Sequence, residues 1–304
     1  MDVPIELRHL RYFVAVAEEL HFGRAAKRLH ISQPPLSQQI RRLEEIVGAP
    51  LFFRSSRSVK LTDGGLALLD RARRTLARIS EDVEAVRRVT RGEAGVLTVG
   101  FVGSAMLTHL PVILRKYREA YPRVQLRLRE LSTDPLREGI LEGAIDVALM
   151  RDAGPSDVLH VETLSTEAFT IAVPARHALA QRRSIPIELL RDEPFVLFPR
   201  AAGVYAWENT MRLFEPKGFL PKVVQEAPQW LTVLKLVSAG LGLTVAPACV
   251  ESIASAGVVC RRLPRSAGTT GIDLACRDIE TSPLVRSFVS LARQLSARRP
   301  SRSL

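Results

Sequence analysis

The chain has 304 residues, 46% hydrophobic and 25% charged, which is enough for two or three packed domains and argues against disorder along its whole length. A formal net charge of +11 favours a polyanionic partner, but it does not separate DNA from RNA or a membrane surface. There is no run of about 18 apolar residues and no signal peptide, so we expect a cytoplasmic protein without a membrane span.

The first predicted helix carries an apolar stripe that should close the back of the domain formed with the residues after it. The stripe consists of Leu7, Leu10, Phe13, Val14 and Ala17. A second, shorter helix follows, with an apolar face made by Ala25, Ala26 and Leu29. Ser32 then has the residue type of an N-cap, whose hydroxyl can accept a backbone N–H of the next helix.

The third predicted helix has one apolar and one hydrogen-bonding face, which is what reading base edges in a major groove requires. Its apolar stripe is formed by Leu36, Ile40, Leu43 and Val47. Pro34 and Pro35 occupy its first turn, where a missing N–H is tolerated. The predicted DNA-binding residues of this helix are Gln33, Pro34, Ser37, Gln38 and Arg41. All of these except Pro34 are predicted to lie near the bases. Glu44 and Glu45 are interpreted as carboxylates on a solvated helix end.

A short basic hairpin follows the third helix and has the character of a wing. Leu51 and Phe52 are predicted to anchor it in the core. Arg54, Arg57 and Lys60 are predicted to contact the DNA backbone or minor groove. The alternative is a solvated three-helix bundle with ordinary surface arginines. Helix, tight turn, capped helix and basic hairpin in this order favour DNA binding.

The next segment predicts a long helix with a coiled-coil seam. Thr62 or Asp63 can cap it, and Gly64–Gly65 should loosen its start. Its apolar positions recur at a period of about 3.5, typical of a dimerising helix; they are Leu69, Ala72, Leu76, Ile79, Val83, Val86 and Thr90. The alternative is a helix lying along its own C-terminal domain. Residues 91–95 end the helix and are predicted to form a hinge.

From Val96 onward, strands alternate with helices, which predicts an α/β domain with largely parallel sheets. Strand-like segments near 168–173 and 271–277 flank a self-contained block, so we expect the chain to enter a second lobe and return. Predicted helices include 107–121, 205–217, 249–255 and 283–297.

Small-molecule binding is predicted where helices begin after strands, because ligands in such folds bind beyond the carboxyl ends of strands. The candidate residues are Ser104, Ser132, Thr133, Arg151, Phe198, Pro199 and Arg200, with Gln229 and Trp230 as further candidates. Their hydroxyls, guanidinium groups and aromatic wall suit a small carboxylate. The hydroxyl residues could instead be simple helix caps, and Trp230 could belong to the core.

The sequence carries no enzyme signature: HExxH, GxSxG, GxxxxGK[ST] and GxGxxG are all absent, so we predict neither catalysis nor a metal or cofactor. Cys249, Cys260 and Cys276 are an odd number without metal-ligand spacing and are expected to be reduced and buried. The alternative is a redox sensor, which would need a reactive thiolate beside cations and a resolving partner.

Residues 5 to 65 resemble the N-terminal domain of the LysR-type transcriptional regulators almost without a gap. The resemblance is carried by LRHLRYFVAVAEELHFGRAAKRLHISQPPLSQQIRRLEEIVGAPLFFRSSRSVKLTDGG, within which AAKRLHISQPPLSQQIRRLE is specific to that family. It implies a winged helix-turn-helix DNA-binding domain (1–61), a linker and dimerisation helix (62–91), a hinge (92–95) and an effector-binding domain (96–304). The last domain would have two lobes, similar to periplasmic solute-binding proteins: lobe I at about 96–165 and 267–304, and lobe II at about 166–266.

The resemblance also implies a regulator that binds double-stranded DNA as a homodimer through residues 62–91, and as a homotetramer. A small-molecule effector would bind between the lobes. The stretch FVLFPR (195–200) resembles the subset of the family that governs benzoate, catechol or chlorocatechol breakdown, which implies an aromatic or dicarboxylic acid. The alternative implied function is a redox-sensing transcription regulator that uses a cysteine thiol.

Overall fold

A computed structural model describes residues 5–55, 58–264, 268–279 and 282–297. The chain forms two compact units that divide after Arg88. Within the described residues, no helix combines the length and the apolar character needed to cross a membrane.

The N-terminal unit is a three-helix core with a hairpin and the start of a long helix. Its elements are α1 (Leu7–Glu19), α2 (Phe22–Arg28), α3 (Gln33–Val47), β1 (Phe52–Arg54), β2 (Val59–Leu61) and α4 (Asp63–Thr90). The rings of Phe13 and Phe22 contact that of Phe52, at centroid distances of 5.4 and 6.0 Å, so the hairpin is anchored as predicted. The winged helix-turn-helix architecture is therefore confirmed.

The cap of α3 differs from the prediction in one respect. Ser32 is the N-cap residue, but its hydroxyl accepts no backbone hydrogen bond. A capping hydroxyl bonds the N–H of the second or third helical residue, and here those residues are Pro34 and Pro35, which have none. The predicted capping bond was therefore wrong for a reason already present in the sequence.

Helix α4 begins tightly rather than loosely. Thr62 Oγ1 accepts the backbone N–H of Gly65 at 2.9 Å and donates to the carbonyl of Pro50 at 2.7 Å, so Thr62 is the capping residue. A Cβ on Gly65 would lie 2.2 Å from the carbonyl oxygen of Leu51. Gly65 therefore permits a close approach of two backbones, and the expectation that it loosens the helix was wrong.

The apolar stripe of α4 has two different environments. In its first half Ala72 is buried, and Leu68, Leu69 and Leu76 pack against the core of the N-terminal unit. The guanidinium of Arg73 also donates to Glu18 of α1 at 2.7 Å. In the second half, Val83 and Val86 are 46% and 68% exposed. The first half of the stripe thus packs within the N-terminal unit, and the second half leaves an exposed apolar face at Val83 and Val86.

The C-terminal unit contains a mixed α/β structure. Its helices are α5 (Leu110–Ala120), α6 (Thr133–Leu141), α7 (Val204–Met211), α8 (Trp230–Ser238) and α9 (Pro283–Ala297). Its strands are β3 (Ala94–Phe101), β4 (Arg123–Glu130), β5 (Val147–Arg151), β6 (Leu159–Pro174), β7 (Pro194–Leu197), β8 (Lys222–Glu226), β9 (Thr244–Pro247), β10 (Val258–Arg262) and β11 (Thr269–Arg277). The order β10-β6-β11-β5-β3-β4 forms one sheet, β9 also pairs with β6, and β7 pairs with β8.

The prediction of largely parallel sheets was wrong. Among the described strands of this unit, the pairs β3–β4, β3–β5 and β7–β8 are parallel, whereas β11 runs antiparallel to β5 and β6, and β6 antiparallel to β9 and β10. Two predicted strands within 160–174 are one continuous strand of 16 residues, β6. Because β6 leaves the first part of the domain and β11 returns to it, these two crossing strands must run in opposite directions.

The apolar core of this unit is divided in the way a two-lobed domain would require. One cluster lies within residues 97–159 and 272–292, and the other two lie within residues 169–263. These clusters fall inside the two predicted lobes, whose limits stay a prediction. The predicted limit at 267 lies outside the described residues.

Several predicted boundaries shift. The predicted hinge at 92–95 is shorter than expected, since Ala94 and Gly95 already pair with β4. The helix predicted at 107–121 is α5 preceded by a 3₁₀ turn at Gly103–Leu107. The helix predicted at 249–255 is a 3₁₀ turn, Ala248–Ile253, and the one predicted at 205–217 ends at Met211. The last helix, Pro283–Ala297, has its predicted bounds.

Candidate DNA interface and ligand cleft

Helix α3 presents the predicted polar face outward because its opposite face is locked into the core. Leu36, Ile40 and Leu43 are fully buried. The side chains predicted to face DNA are Gln33, Pro34, Gln38 and Arg41, which are exposed, and Ser37, which is half-buried. The exposed face of the helix therefore carries two amides and a guanidinium. These groups can form hydrogen bonds with base edges.

A neighbouring amide has a structural role instead. His9 of α1 is buried, and its Nδ1 accepts the backbone N–H of Glu6 at 3.0 Å. In that tautomer its Nε2–H donates to Oε1 of Gln39, at 2.9 Å. Gln39 therefore fastens α3 to α1, a role that the sequence pattern did not reveal.

The basic side chains of the wing differ in their contacts and exposure. The guanidinium of Arg54 pairs with the carboxylate of Glu44 and lies over the ring of Phe22, 5.1 Å from its centroid. Lys60 is exposed, and Arg57 lies outside the described residues. Arg54 is therefore in contact with Glu44 and Phe22 of its own domain, and its side chain stays 29% exposed.

Glu44 corrects an interpretation of the sequence. Its side chain is only 16% exposed, and its Oε1 accepts the backbone N–H groups of Leu51 and Phe52 at 2.9 and 3.2 Å. Glu45, by contrast, is 65% exposed and pairs with Arg42. Only Glu45 belongs to a solvated helix end, whereas Glu44 joins α3 to the wing.

In the C-terminal unit, Arg151 is the centre of a polar network at the end of β5. It is 8% exposed. Its Nη1 donates to Glu167 Oε1 at 2.9 Å, and its Nε to Ser104 Oγ at 3.3 Å. Glu167 Oε2 in turn accepts the backbone N–H of Cys249 at 2.6 Å. The network joins residues of both predicted lobes and neutralises a buried guanidinium.

The structure brings together part of the predicted ligand site. Thr133 is buried, and its hydroxyl donates to the carbonyl of Arg151 at 3.2 Å. A Cβ on Gly203 would lie 3.1 Å from Cβ of Thr133, so the loop after β7 reaches the start of α6. Ser132 is the N-cap residue of α6, with no capping bond from its side chain.

The aromatic wall is present, but Arg200 is not part of it. The ring of Phe198 contacts those of Trp207 and Trp230, with centroids 5.8 and 6.3 Å apart. Pro199 is half-buried. Arg200 is exposed and pairs with Glu208 at 3.3 Å. Among the predicted ligand contacts, Ser104, Thr133 and Arg151 are thus buried, whereas Ser132, Phe198 and Pro199 are half-buried.

A cavity of about 480 Å³ adjoins this network, and the sequence did not predict it. It is lined by residues of both predicted lobes, among them Thr163, Tyr205, Asn209, Arg212 and Asp273. Asp152, directly after Arg151, also lines it; its φ of 43° is rare outside glycine, and its carboxylate accepts bonds from Thr270 and Asn209. The sequence signal that could have predicted this cavity was Asp152, an acidic residue directly after strand β5.

Two of the three cysteine thiols, Cys249 and Cys260, have raised pKa values, which disfavours the reactive thiolate. Burial, and then the nearby Glu167 carboxylate, raise the pKa of the Cys249 thiol to about 12. Burial, and then Glu251, raise the pKa of Cys260 to about 11. Cys276 is buried, and no cysteine within the described residues is in a disulfide. Since the thiolate is the reactive form, Cys249 and Cys260 lack the activation that a sensor needs. In this same part of the chain, no group of three or more His, Cys, Asp or Glu side chains could hold a metal ion.

Comparison with known proteins agrees with both units. Residues 7–66 match the bacterial regulatory helix-turn-helix protein, lysR family, and residues 90–297 match the LysR substrate binding domain. The chain is 40% identical to the HTH-type transcriptional regulator AlsR of Bacillus subtilis, over 95% of each. It is 35% identical to the HTH-type transcriptional regulator BenM of Acinetobacter baylyi, over 96% of this chain and 97% of BenM.

Solved structures show the same architecture. Full-length CbnR in complex with its target DNA superposes with a TM-score of 0.80 at 29% identity, covering 96% of this chain and all of CbnR. An outward-facing α3 on a winged helix-turn-helix, followed by a ligand-binding α/β domain, defines a DNA-binding transcription regulator and not an enzyme. The chain belongs to the LysR family of transcriptional regulators. The resemblance of residues 5 to 65 to the LysR-type regulators, inferred from the sequence, is therefore confirmed.

Proposed function

We propose that the protein reads a promoter half-site in double-stranded DNA through α3, and that Gln33, Pro34, Ser37, Gln38 and Arg41 face the bases. The observation that carries the proposal is that Gln33, Pro34, Gln38 and Arg41 are exposed, and Ser37 half-buried, opposite a fully buried stripe. Arg54, Arg57 and Lys60 are proposed to face the backbone. Because chromosomal DNA is the partner, the cytoplasm is the proposed location.

Assembly is proposed to occur through α4. Val83 and Val86 leave an apolar face in the second half of the helix, which suits a homodimer through residues 62–91. Two dimers would form a homotetramer and supply two-fold related reading helices for a two-part site.

The DNA proposal is tested by alanine substitution at Gln38 and at Lys60. Gln38→Ala should lower the affinity for the upstream region of the regulated genes by about 10-fold but leave binding to scrambled DNA unchanged, because a base contact is worth about 1–3 kcal/mol. Lys60→Ala should weaken binding to the upstream region and to scrambled DNA equally. It should also reduce the salt dependence of the binding constant. Gel-shift titrations across salt concentrations measure both effects.

The control for this test is Arg42→Ala, which removes an exposed arginine paired with Glu45 on the same helix. If Gln38→Ala left the sequence preference of DNA binding unchanged while Arg54→Ala abolished it, the wing would contact the bases and α3 the backbone, the reverse of the proposal. If neither Gln38→Ala nor Arg41→Ala changed sequence preference, α3 would not be the reading element.

We further propose that an organic acid, aromatic or dicarboxylic, binds between the two lobes. The proposed contacts are Ser104, Ser132, Thr133, Arg151, Phe198, Pro199 and Arg200. The buried members would position the others, while Phe198 and Ser132 remain partly accessible. The effector would act by its different affinity for two arrangements of the assembly.

A panel of aromatic and dicarboxylic acids tested by thermal shift on the full chain addresses this proposal. A binding acid should raise the melting temperature by several degrees when present at about 100 times its Kd. Phe198→Ala should weaken that response at least tenfold, whereas Arg118→Gln, an exposed site on α5, should not. If Arg212→Gln alone weakens it, the ligand occupies the cavity beside Asp152 and the proposed contacts are wrong.

A further inference from the structure

Two Arg-Arg pairs that are distant in sequence meet in lobe II. Arg261 and Arg262 end β10, and Arg182 and Arg183 follow a 3₁₀ turn at Ala178–Gln181. The pairs are joined because Ser184 forms a β-bridge with Arg262, and the N–H of Ile185 donates to the Arg262 carbonyl at 3.1 Å. Together they line one cavity of about 370 Å³, with Gln181, Glu251 and Cys260.

The arginines of this cavity have no acidic partner. Within the described part of the chain, none of the four guanidinium groups lies within 4.0 Å of a carboxylate. Arg261 is held by carbonyls instead: its Nε and Nη2 donate to the oxygen of Ala180 at 3.1 and 2.8 Å. Glu251, the one acidic residue lining the cavity, accepts the hydroxyl of buried Thr170 at 2.9 Å.

This arrangement gathers four guanidinium groups and a single carboxylate, that of Glu251, around one cavity, so the charge of its lining is positive. Four guanidinium groups around a shared concavity repel one another. Arg182, Arg183 and Arg262 are exposed, so a ligand can reach them. A ligand with two or more negative charges would relieve it, whereas a monocarboxylate would neutralise a single group. Guanidinium groups bind phosphate oxygens in bidentate geometry, and the volume lies within the range of small-molecule sites.

We propose that this cavity, here called the four-arginine cavity, binds a small polyanion of the phosphate class, such as a phosphate monoester or a pyrophosphate group. None of its lining residues belongs to the Arg151 network or to the proposed effector contacts. The four-arginine cavity is thus a second ligand site. Its test does not depend on whether the effector proposal is correct.

The test uses inorganic pyrophosphate and orthophosphate as probes on the full chain. Titration calorimetry and thermal shift are performed against sodium chloride at matched ionic strength. Pyrophosphate should bind saturably and raise the melting temperature more than chloride does. The double variant Arg183→Gln/Arg262→Gln should bind it at least tenfold more weakly, and Arg182→Gln alone should weaken it to a smaller degree.

The matched control is Arg118→Gln/Arg286→Gln, which removes two exposed positive charges elsewhere in the C-terminal unit. It should bind pyrophosphate as the parent does. Removing repulsion in the double variant should leave the ligand-free melting temperature unchanged or raised, which separates lost binding from misfolding.

The proposal is overturned if pyrophosphate acts only as chloride does, or if both double variants lose binding equally. It is also overturned if Arg183→Gln/Arg262→Gln lowers the affinity for DNA while pyrophosphate binding is absent. That last outcome would assign the arginines to a nucleic-acid backbone instead of a small phosphate compound.

Discussion

The carboxylate of Glu44 joins three parts of the N-terminal unit. It accepts the two backbone N–H groups that open the wing and pairs with Arg54 of β1. Its removal would leave two partly buried donors and one cation without a partner. A single acidic side chain thus fastens the wing to α3.

Glu44→Ala should destabilise the protein by about 2–3 kcal/mol, because partly buried backbone donors lose their acceptor. Glu45→Ala, one residue later but 65% exposed, should change stability by less than about 0.5 kcal/mol. Chemical denaturation of the full-length variants gives both values. Equal effects at the two positions would show that the contacts of Glu44 with the wing are not stabilising.

At the scale of elements, the apolar stripe of α4 is packed in its first half and exposed in its second half. Its first half packs on the core of its own unit through buried Ala72 and partly buried Leu76. The later seam positions Val83 and Val86 are exposed. Dimerisation through α4 should therefore depend on its second half.

Val83→Glu should weaken the dimer at least 10-fold, because a charge would be buried in an apolar seam. Ala85→Glu introduces the same charge on another face of the same helix and should leave association unchanged. Sedimentation equilibrium over a range of protein concentrations measures the dissociation constant. An unaltered dimer in Val83→Glu would place the interface elsewhere.

At the scale of the whole molecule, the Arg151 network links the two lobes of the C-terminal unit. Arg151 lies at the end of β5, Glu167 on the crossing strand β6 and Cys249 beyond β9. A buried ion pair of this kind is strongly destabilising when one partner is lost, because the other charge remains without compensation.

Arg151→Met should lower stability by about 3–5 kcal/mol, whereas Arg151→Met/Glu167→Gln should recover most of that loss. The glutamine keeps an acceptor for the Cys249 N–H and removes the orphaned charge. A double-mutant cycle by thermal unfolding, with Glu167→Gln as the other single variant, measures the coupling. Purely additive effects would mean that the two side chains do not act as a pair.

The sequence by itself determined the elements whose signals are local and periodic. The buried stripe Leu36, Ile40 and Leu43 implied the outward face of α3, and the bounds of α9 followed from its own pattern. The Ser32 cap could also have been corrected from sequence alone, since Pro34 and Pro35 have no N–H to donate.

Only the tertiary structure decided what depends on contacts between residues far apart in the chain. Strand direction at β6 and β11 depends on where the chain crosses between lobes, and period-two alternation carries no information about direction. Glu44 and Glu45 have the same residue type, yet only Glu44 meets the wing. The partners of Arg151 and the meeting of Arg183 with Arg262 likewise arise from topology, because charge and hydrogen bonding act through space and not along the sequence.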